Sequence, residues 1–215
     1  MKIAVCLFGK TVNKGGVEDF HKGYNDIQKQ VLKYNPDVFI HTWNSPHSNL
    51  LQKYNPKNMI IEDSPIDRNL KNYGSRCMFY SIKKTIQLKE QYEKEHGFKY
   101  DIVLLSRMDV SARADRVEFG INDDMNNLYF SRDFWGTGHL VDHWVYSNTR
   151  NLDIIGKIYD KIDEYLPVCR FNNHLILQHH LIENKLDHKI IFKYSEYRDF
   201  EIEHLRRCKH NNLFT

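Results

Sequence analysis

Tyr100-Asp101-Ile102-Val103-Leu104-Leu105-Ser106-Arg107-Met108-Asp109 is a short apolar run that stops on an arginine and an aspartate. Its length and branched residues read as a buried strand. A helical pattern precedes it. From Tyr73 to Glu95, Cys77, Tyr80, Ile82, Ile86, Leu88 and Tyr92 recur at helical spacing, and Gly97 closes the segment. A long helix that feeds a buried strand is half of a strand-helix-strand unit, which predicts a parallel sheet.

The same alternation runs outward in both directions. Lys2 to Gly9 reads as a first strand, followed by a polar loop from Lys10 to Gly16 and a helix marked by Val17, Phe20, Tyr24, Ile27, Val31 and Leu32. Asn35-Pro36 stops that helix. Asp37 to Trp43 and Asn58 to Asp63 read as the second and third strands. Beyond Asp109, Asn127 to Ser131 and Val141 to Tyr146 read as strands flanking the loop Trp135-Gly136-Thr137-Gly138. Ile154, Ile155, Ile158, Ile162 and Leu166 mark one amphipathic helix, Asn172 to Asn184 another, and Ile190 to Phe192 a late strand. The expectation is an α/β, Rossmann-like fold: a mostly parallel central sheet flanked by helices, in one domain over residues 1–215.

Composition narrows the function classes. An apolar fraction of 41% with 13% aromatic residues belongs to a packed core rather than a disordered chain. The formal charge of +3, from 31 basic and 28 acidic residues, is too balanced for a nucleic-acid footprint, so no nucleic-acid partner is expected. A local anionic ligand stays open. The cluster Arg206-Arg207 with Lys209 reads either as a solvated tail or as a peripheral membrane contact. The apolar start is too short for a signal peptide and no run approaches a bilayer span, giving an expectation of a cytoplasmic protein. Cys6, Cys77, Cys169 and Cys208 lack zinc spacing and read as free thiols. The twelve histidines include His139, His143, His174, His179 and His180, but form no helical zinc motif and read mainly as structural.

In open α/β sheets ligands bind beyond the carboxyl ends of the strands. Attention therefore falls on Phe8-Gly9-Lys10-Thr11, His41-Thr42-Trp43-Asn44, Glu62-Asp63-Ser64 and Ser106-Arg107-Met108-Asp109. Strand periodicity puts Arg107 and Asp109 on one face. An aspartate there suits Mg²⁺ or Mn²⁺ and an arginine suits a phosphate, while the alternative is a surface salt bridge at a strand end.

The ordered stretches MKIAVCLFG (1–9), PDVFIHTWN (36–44) and KYDIVLLSRMDV (99–110) resemble small glycosyltransferases of bacterial surface-polysaccharide and large-virus gene sets. That resemblance implies a GT-A fold, with residues 1–110 as the nucleotide-binding half and 111–215 as the acceptor-side half. It implies a nucleotide-sugar donor, UDP-linked, and a glycan acceptor. Such enzymes carry an Asp-x-Asp motif whose last carboxylate binds a divalent cation. Here the tripeptide is Arg107-Met108-Asp109, so Asp109 keeps the ligand position for Mn²⁺ or Mg²⁺ and a cation replaces the first carboxylate. Phe8, Gly9 and Lys10 would approach the nucleoside. Trp43 would lie beside the pocket or pack the core, and Arg76 would meet a phosphate or stay solvated. Asp142, after the loop containing Gly136 and Gly138, would act as the acceptor's base or cap its strand, with Asp133 in reserve. A sugar-phosphate nucleotidyltransferase and a non-catalytic nucleotide- or glycan-binding module are the rival readings; Lys14-Gly15-Gly16 faintly suggests the former.

Overall fold

A computed structural model describes residues 1–11, 21–44, 50–112, 117–132, 139–170 and 172–202. Seven strands form one sheet: β1 (Ile3–Gly9), β2 (Asp37–Trp43), β3 (Asn58–Glu62), β4 (Ile102–Arg107), β6 (Leu128–Arg132), β7 (Leu140–Ser147) and β8 (Ile190–Ser195). Two short strands, β5 (Val110–Ala112) and β9 (Phe200–Ile202), pair separately and antiparallel. The helices are α1 (His21–Gln30), α2 (Leu50–Lys53), α3 (Tyr73–His96), α4 (Thr149–Ile155), α5 (Ile162–Val168), α6 (Asn173–Glu183) and α7 (Glu196–Asp199).

The large sheet has the order β3-β2-β1-β4-β7-β6-β8. β2, β1 and β4 run parallel with β3, whereas β7 is antiparallel to both its neighbours, β4 and β6. β6 and β8 are parallel to each other, so β7 alone runs against the other six. The chain is thus a single α/β domain with a mostly parallel sheet, and β7, β6 and β8 extend the sheet begun by β1 to β4.

Period-two alternation divides the core between the two faces of the sheet. Ala4, Cys6 and Phe8 of β1 join Phe39, Val103 and Leu105 in a cluster with Phe79, Ile82 and Ile86 of α3 and Ile176 and Leu177 of α6. Ile3, Val5 and Leu7 face the other way, into a cluster with Ile27 of α1, Trp144 and Phe200. Every residue of β1 from Ile3 to Phe8 is buried, which is why this strand reads as a continuous apolar run.

α3 spans its full expected length because its C-cap, Gly97, takes the left-handed conformation at φ 66° and donates its N–H to the Glu93 carbonyl. The single amphipathic helix expected through Ile154 and Leu166 is instead broken. α4 ends at Gly156, a 3₁₀ turn occupies Ile158–Lys161, and α5 follows. Deep in the α3–α4 contact, Lys89 and Glu93 are both fully buried. Lys89 donates to Glu93, Thr149 and Asp153, while Glu93 also accepts from the Tyr100 N–H at 2.9 Å and from Thr149 at 2.7 Å.

Cys6 and Cys169 are buried and Cys77 is half-buried, all as free thiols. Burial pushes the Cys6 thiol up to about 12, which makes it an inert core residue. No helix among the described residues is long and apolar enough to cross a membrane.

Candidate functional site

The parallel register lines up three side chains across the carboxyl ends of the strands. Phe8 of β1 pairs with His41 of β2 on one side and with Arg107 of β4 on the other. Adjacent strands lie about 4.8 Å apart, so His41 and Arg107 are separated by roughly 10 Å along this row. Asp109 falls in the turn after β4, not on the strand. It nevertheless meets Arg107, whose guanidinium grips the carboxylate with both prongs: Nε donates to Oδ1 at 2.9 Å and Nη2 to Oδ2 at 2.6 Å. The pair is largely shielded, with Arg107 22% and Asp109 9% exposed at the side chain, and is therefore no surface salt bridge.

β7 delivers Asp142 to the same place. Because β7 runs antiparallel with Ser106 opposite Trp144, its early residues arrive where β4 ends. Asp142 is the third residue of β7 and is buried, which removes the strand-cap role. Burial by itself would lower the Arg107 pKa, but the fields of Asp109 and Asp142 and the hydrogen bonds to Asp109 outweigh it and hold the pKa above its ordinary value. Glu196 adds a smaller push in the same direction. Among the described residues, the guanidinium thus feels the charge of three carboxylates.

Beside them His143 is 1% exposed, and desolvation drives its pKa down to about 3, so the ring is neutral. Among the described residues its Nε2 has no hydrogen-bond partner, nor have His174 Nδ1, Trp144 Nε1 and the Thr42 hydroxyl. Orphaned polar atoms are rare in a finished interior, and of these four His143 and His174 are close enough for their charges to interact.

At the other end of the row His41 is the centre of a hydrogen-bonded chain. Its Nδ1 lies 2.7 Å from Ser81 Oγ, and its Nε2 lies 3.1 Å from Glu62 Oε1. Ser81 accepts the Gly9 N–H at 3.2 Å, and Tyr80 donates to Glu62 at 2.9 Å. Trp43 stacks on Tyr80 with ring centroids 5.8 Å apart and meets His41 edge-on at 4.9 Å. Burial lowers the His41 pKa. Burial alone would raise that of Glu62, but the bonds from His41 and Tyr80 win and lower it. A neutral imidazole beside an ionised carboxylate follows.

The expected site residues fare differently. Arg107, Asp109 and Asp142 come together. Gly9 takes φ +101°, and a Cβ built there would meet nothing within 4 Å, so its backbone borders open space. Lys10 beside it is exposed. Phe8 must be corrected: in phase with Ala4 and Cys6 it points to α3 and is 1% exposed, so no aromatic face is offered to a ligand there. The aromatic surface comes instead from Trp43 and Tyr80. Arg76, in the first turn of α3, donates to Asp163 and to the Lys71 carbonyl. Asp133, the segment Gly136 to Gly138, Lys14 to Gly16, and Arg206, Arg207, Lys209 and Cys208 lie outside the described residues.

Sequence reasoning placed His41 and Glu62 among the strand-end residues to inspect but gave them no role, and it gave none to Tyr80 and Ser81. The available signal was phase: His41 alternates with Phe39 and Trp43, so a polar ring had to face α3 and needed a partner there.

No group of three or more His, Cys, Asp or Glu that could hold a metal ion occurs among the described residues. The described residues alone therefore offer no closed metal cage. Both oxygens of Asp109 are taken by Arg107, so it could join an arrangement in which Mg²⁺ takes one or two carboxylates and draws its other ligands from substrate phosphates only once Arg107 turns away. A separate concavity of about 490 Å³ lies at the amino ends of β1 and β2, bordered by Lys2, Tyr34, Asp37, Lys57 and Phe98, and holds none of these residues.

No protein-family model matches the chain, and no curated protein sequence matches it. Among solved structures it is similar to the crystal structure of a glycosyltransferase involved in the glycosylation of the major capsid of PBCV-1, with a TM-score of 0.50 and 10% identity over 90% of this chain and 82% of that one. At that identity the likeness is one of fold, and it makes the sheet GT-A-like.

Proposed function

We propose that this chain is a glycosyltransferase that moves a sugar from a nucleotide-diphosphate sugar, UDP-linked, to a hydroxyl of a glycan. The observation that carries the reading is the meeting of Arg107, Asp109 and Asp142 where β4 ends and β7 begins. A planar guanidinium recognises phosphate oxygens bidentately, and a buried aspartate next to it is suited to accept the proton of an attacking hydroxyl. The Trp43–Tyr80 surface, next to His41 at the other end of the row, suits the nucleoside end of the same donor.

In this reading Arg107 leaves Asp109 to clamp the departing diphosphate, Asp109 orients the donor, and Asp142 serves the acceptor. Mn²⁺ or Mg²⁺ would be held by Asp109 and would neutralise diphosphate charge when bound. The second reading, a nucleotide-binding module without turnover, draws on one fact: a cation stands where the first carboxylate of an Asp-x-Asp motif would be.

Calorimetric titration of UDP and a panel of UDP-sugars tests the proposal, with Mn²⁺ and with chelator, on wild type and Asp109→Ala. Binding that weakens in the variant supports the donor site, and release of UDP from a UDP-sugar separates the enzyme from the module. Absence of binding under every condition sinks both.

A further inference from the structure

The chain of bonds through His41 has a definite direction. Glu62, ionised, only accepts, so the proton between it and His41 sits on Nε2 of the imidazole. The neutral ring then offers a lone pair at Nδ1, and Ser81, whose hydroxyl has one proton, donates it there at 2.7 Å in preference to the His41 carbonyl oxygen 3.4 Å away. That leaves Ser81 Oγ free to accept from the Gly9 N–H. The order is Gly9 N–H to Ser81, Ser81 to His41, His41 to Glu62, with Tyr80 donating to the same carboxylate oxygen.

Its two ends are not core. Gly9 is the residue at which β1 turns into its loop at φ +101°, with open space where a side chain would stand. Glu62 is 32% exposed and fixes the hydroxyl of Tyr80, on whose ring Trp43 lies. His41 and Ser81 between them are wholly buried. A structural histidine would be satisfied by any two partners; this one links the backbone of one mouth segment to the aromatic surface of another.

We infer that His41 is a positioning residue for the nucleoside end of the donor, fixing the Gly9 turn through Ser81 and the Tyr80–Trp43 surface through Glu62. The inference rests on the donor-site reading above. The two arms can be cut separately. His41→Asn places an amide near the old Nδ1 and keeps the Ser81 arm; His41→Gln reaches toward Glu62 and keeps that arm; His41→Ala removes both.

The test is titration of UDP, GDP and dTDP into wild type and these variants, with thermal melting of each. For the nucleotide that wild type binds, affinity is expected to fall about a hundredfold in His41→Ala and about tenfold in each of His41→Asn and His41→Gln, without following the melting midpoints. Should His41→Ala fail to fold, Ser81→Ala and Glu62→Gln are expected to show the tenfold loss at an unchanged midpoint. Wild-type binding that all these changes leave within twofold, or losses that simply track the melting midpoint, overturns the positioning role alone. Wild type binding none of the three nucleotides overturns the donor-site reading and the positioning role together.

Discussion

Two clusters of opposite charge in this molecule use the same chemistry to different ends. Lys89 with Glu93 and Asp153 is sealed between α3 and α4, where Thr149, Lys99 and the Tyr100 N–H take up the remaining capacity of the carboxylate. Arg107 pairs with Asp109 at the end of β4 within the field of Asp142, and among the described residues the Nε2 of the neighbouring His143 has no hydrogen-bond partner. A network whose partners all come from the protein specifies packing. The strand-end pair instead lies at the carboxyl edge of the sheet, the edge at which open α/β sheets take their ligands.

That contrast can be broken experimentally, beginning with the sealed cluster. Lys89→Met leaves Glu93 and Asp153 without their buried cation and is expected to cost about 3–5 kcal/mol of stability, read by denaturant unfolding. Any loss of nucleotide binding should then vanish at temperatures where the variant is still folded. At the strand-end cluster the pattern should invert. Asp109→Asn is expected to weaken nucleotide affinity about thirtyfold, or about 2 kcal/mol by titration, while the melting midpoint moves little. Equal stability losses in the two variants would erase the distinction.

Acid should act beside the strand-end cluster through His143. Its folded pKa of about 3 lies below the ordinary 6.5, so between those values the unfolded chain binds a proton that the folded one refuses. Stability is therefore intact above pH 6.5 and falls as pH drops toward 3, by about 1.4 kcal/mol per unit from this residue. Urea midpoints from pH 7 to pH 4 should fall less steeply in His143→Gln. The smallest effect is expected at Arg76→Ala, because its partner Asp163 is 80% exposed: about 0.5 kcal/mol of stability and no change in nucleotide affinity. A large affinity loss there would return Arg76 to the phosphate.

How legible this was in the sequence depended on the range of the interaction. β2, from Asp37 to Trp43, and α3, closed by Gly97, are set by local pattern and cap and stand where the residues put them. β5 and β9 are three residues each and exist only because they pair with one another across the chain, so no local signal marks them. The direction of β7 is equally non-local: alternation gives a strand, not its sense. Asp109 and Arg107 were legible as a pair because they are two residues apart. Phe8 was misread because its place at the end of the strand was weighed without its phase, which aligns it with Cys6. His41 and Glu62 meet through pairing of β2 with β3, and each needed Ser81 or Tyr80 from a distant helix to acquire meaning.

The reversed strand β7 also sets a timetable. On the ribosome β1 to β4 emerge in succession and can pair among themselves, yet the outer edge of β4 has no neighbour until residues 140–147 have been made, and β8 closes on β6 later still. A nascent chain carries an open, apolar ladder along β4 throughout that interval, the kind of edge that recruits chaperones or strays into aggregation. The strand that completes the candidate site is thus also the one whose late arrival ends the chain's most vulnerable stage of synthesis.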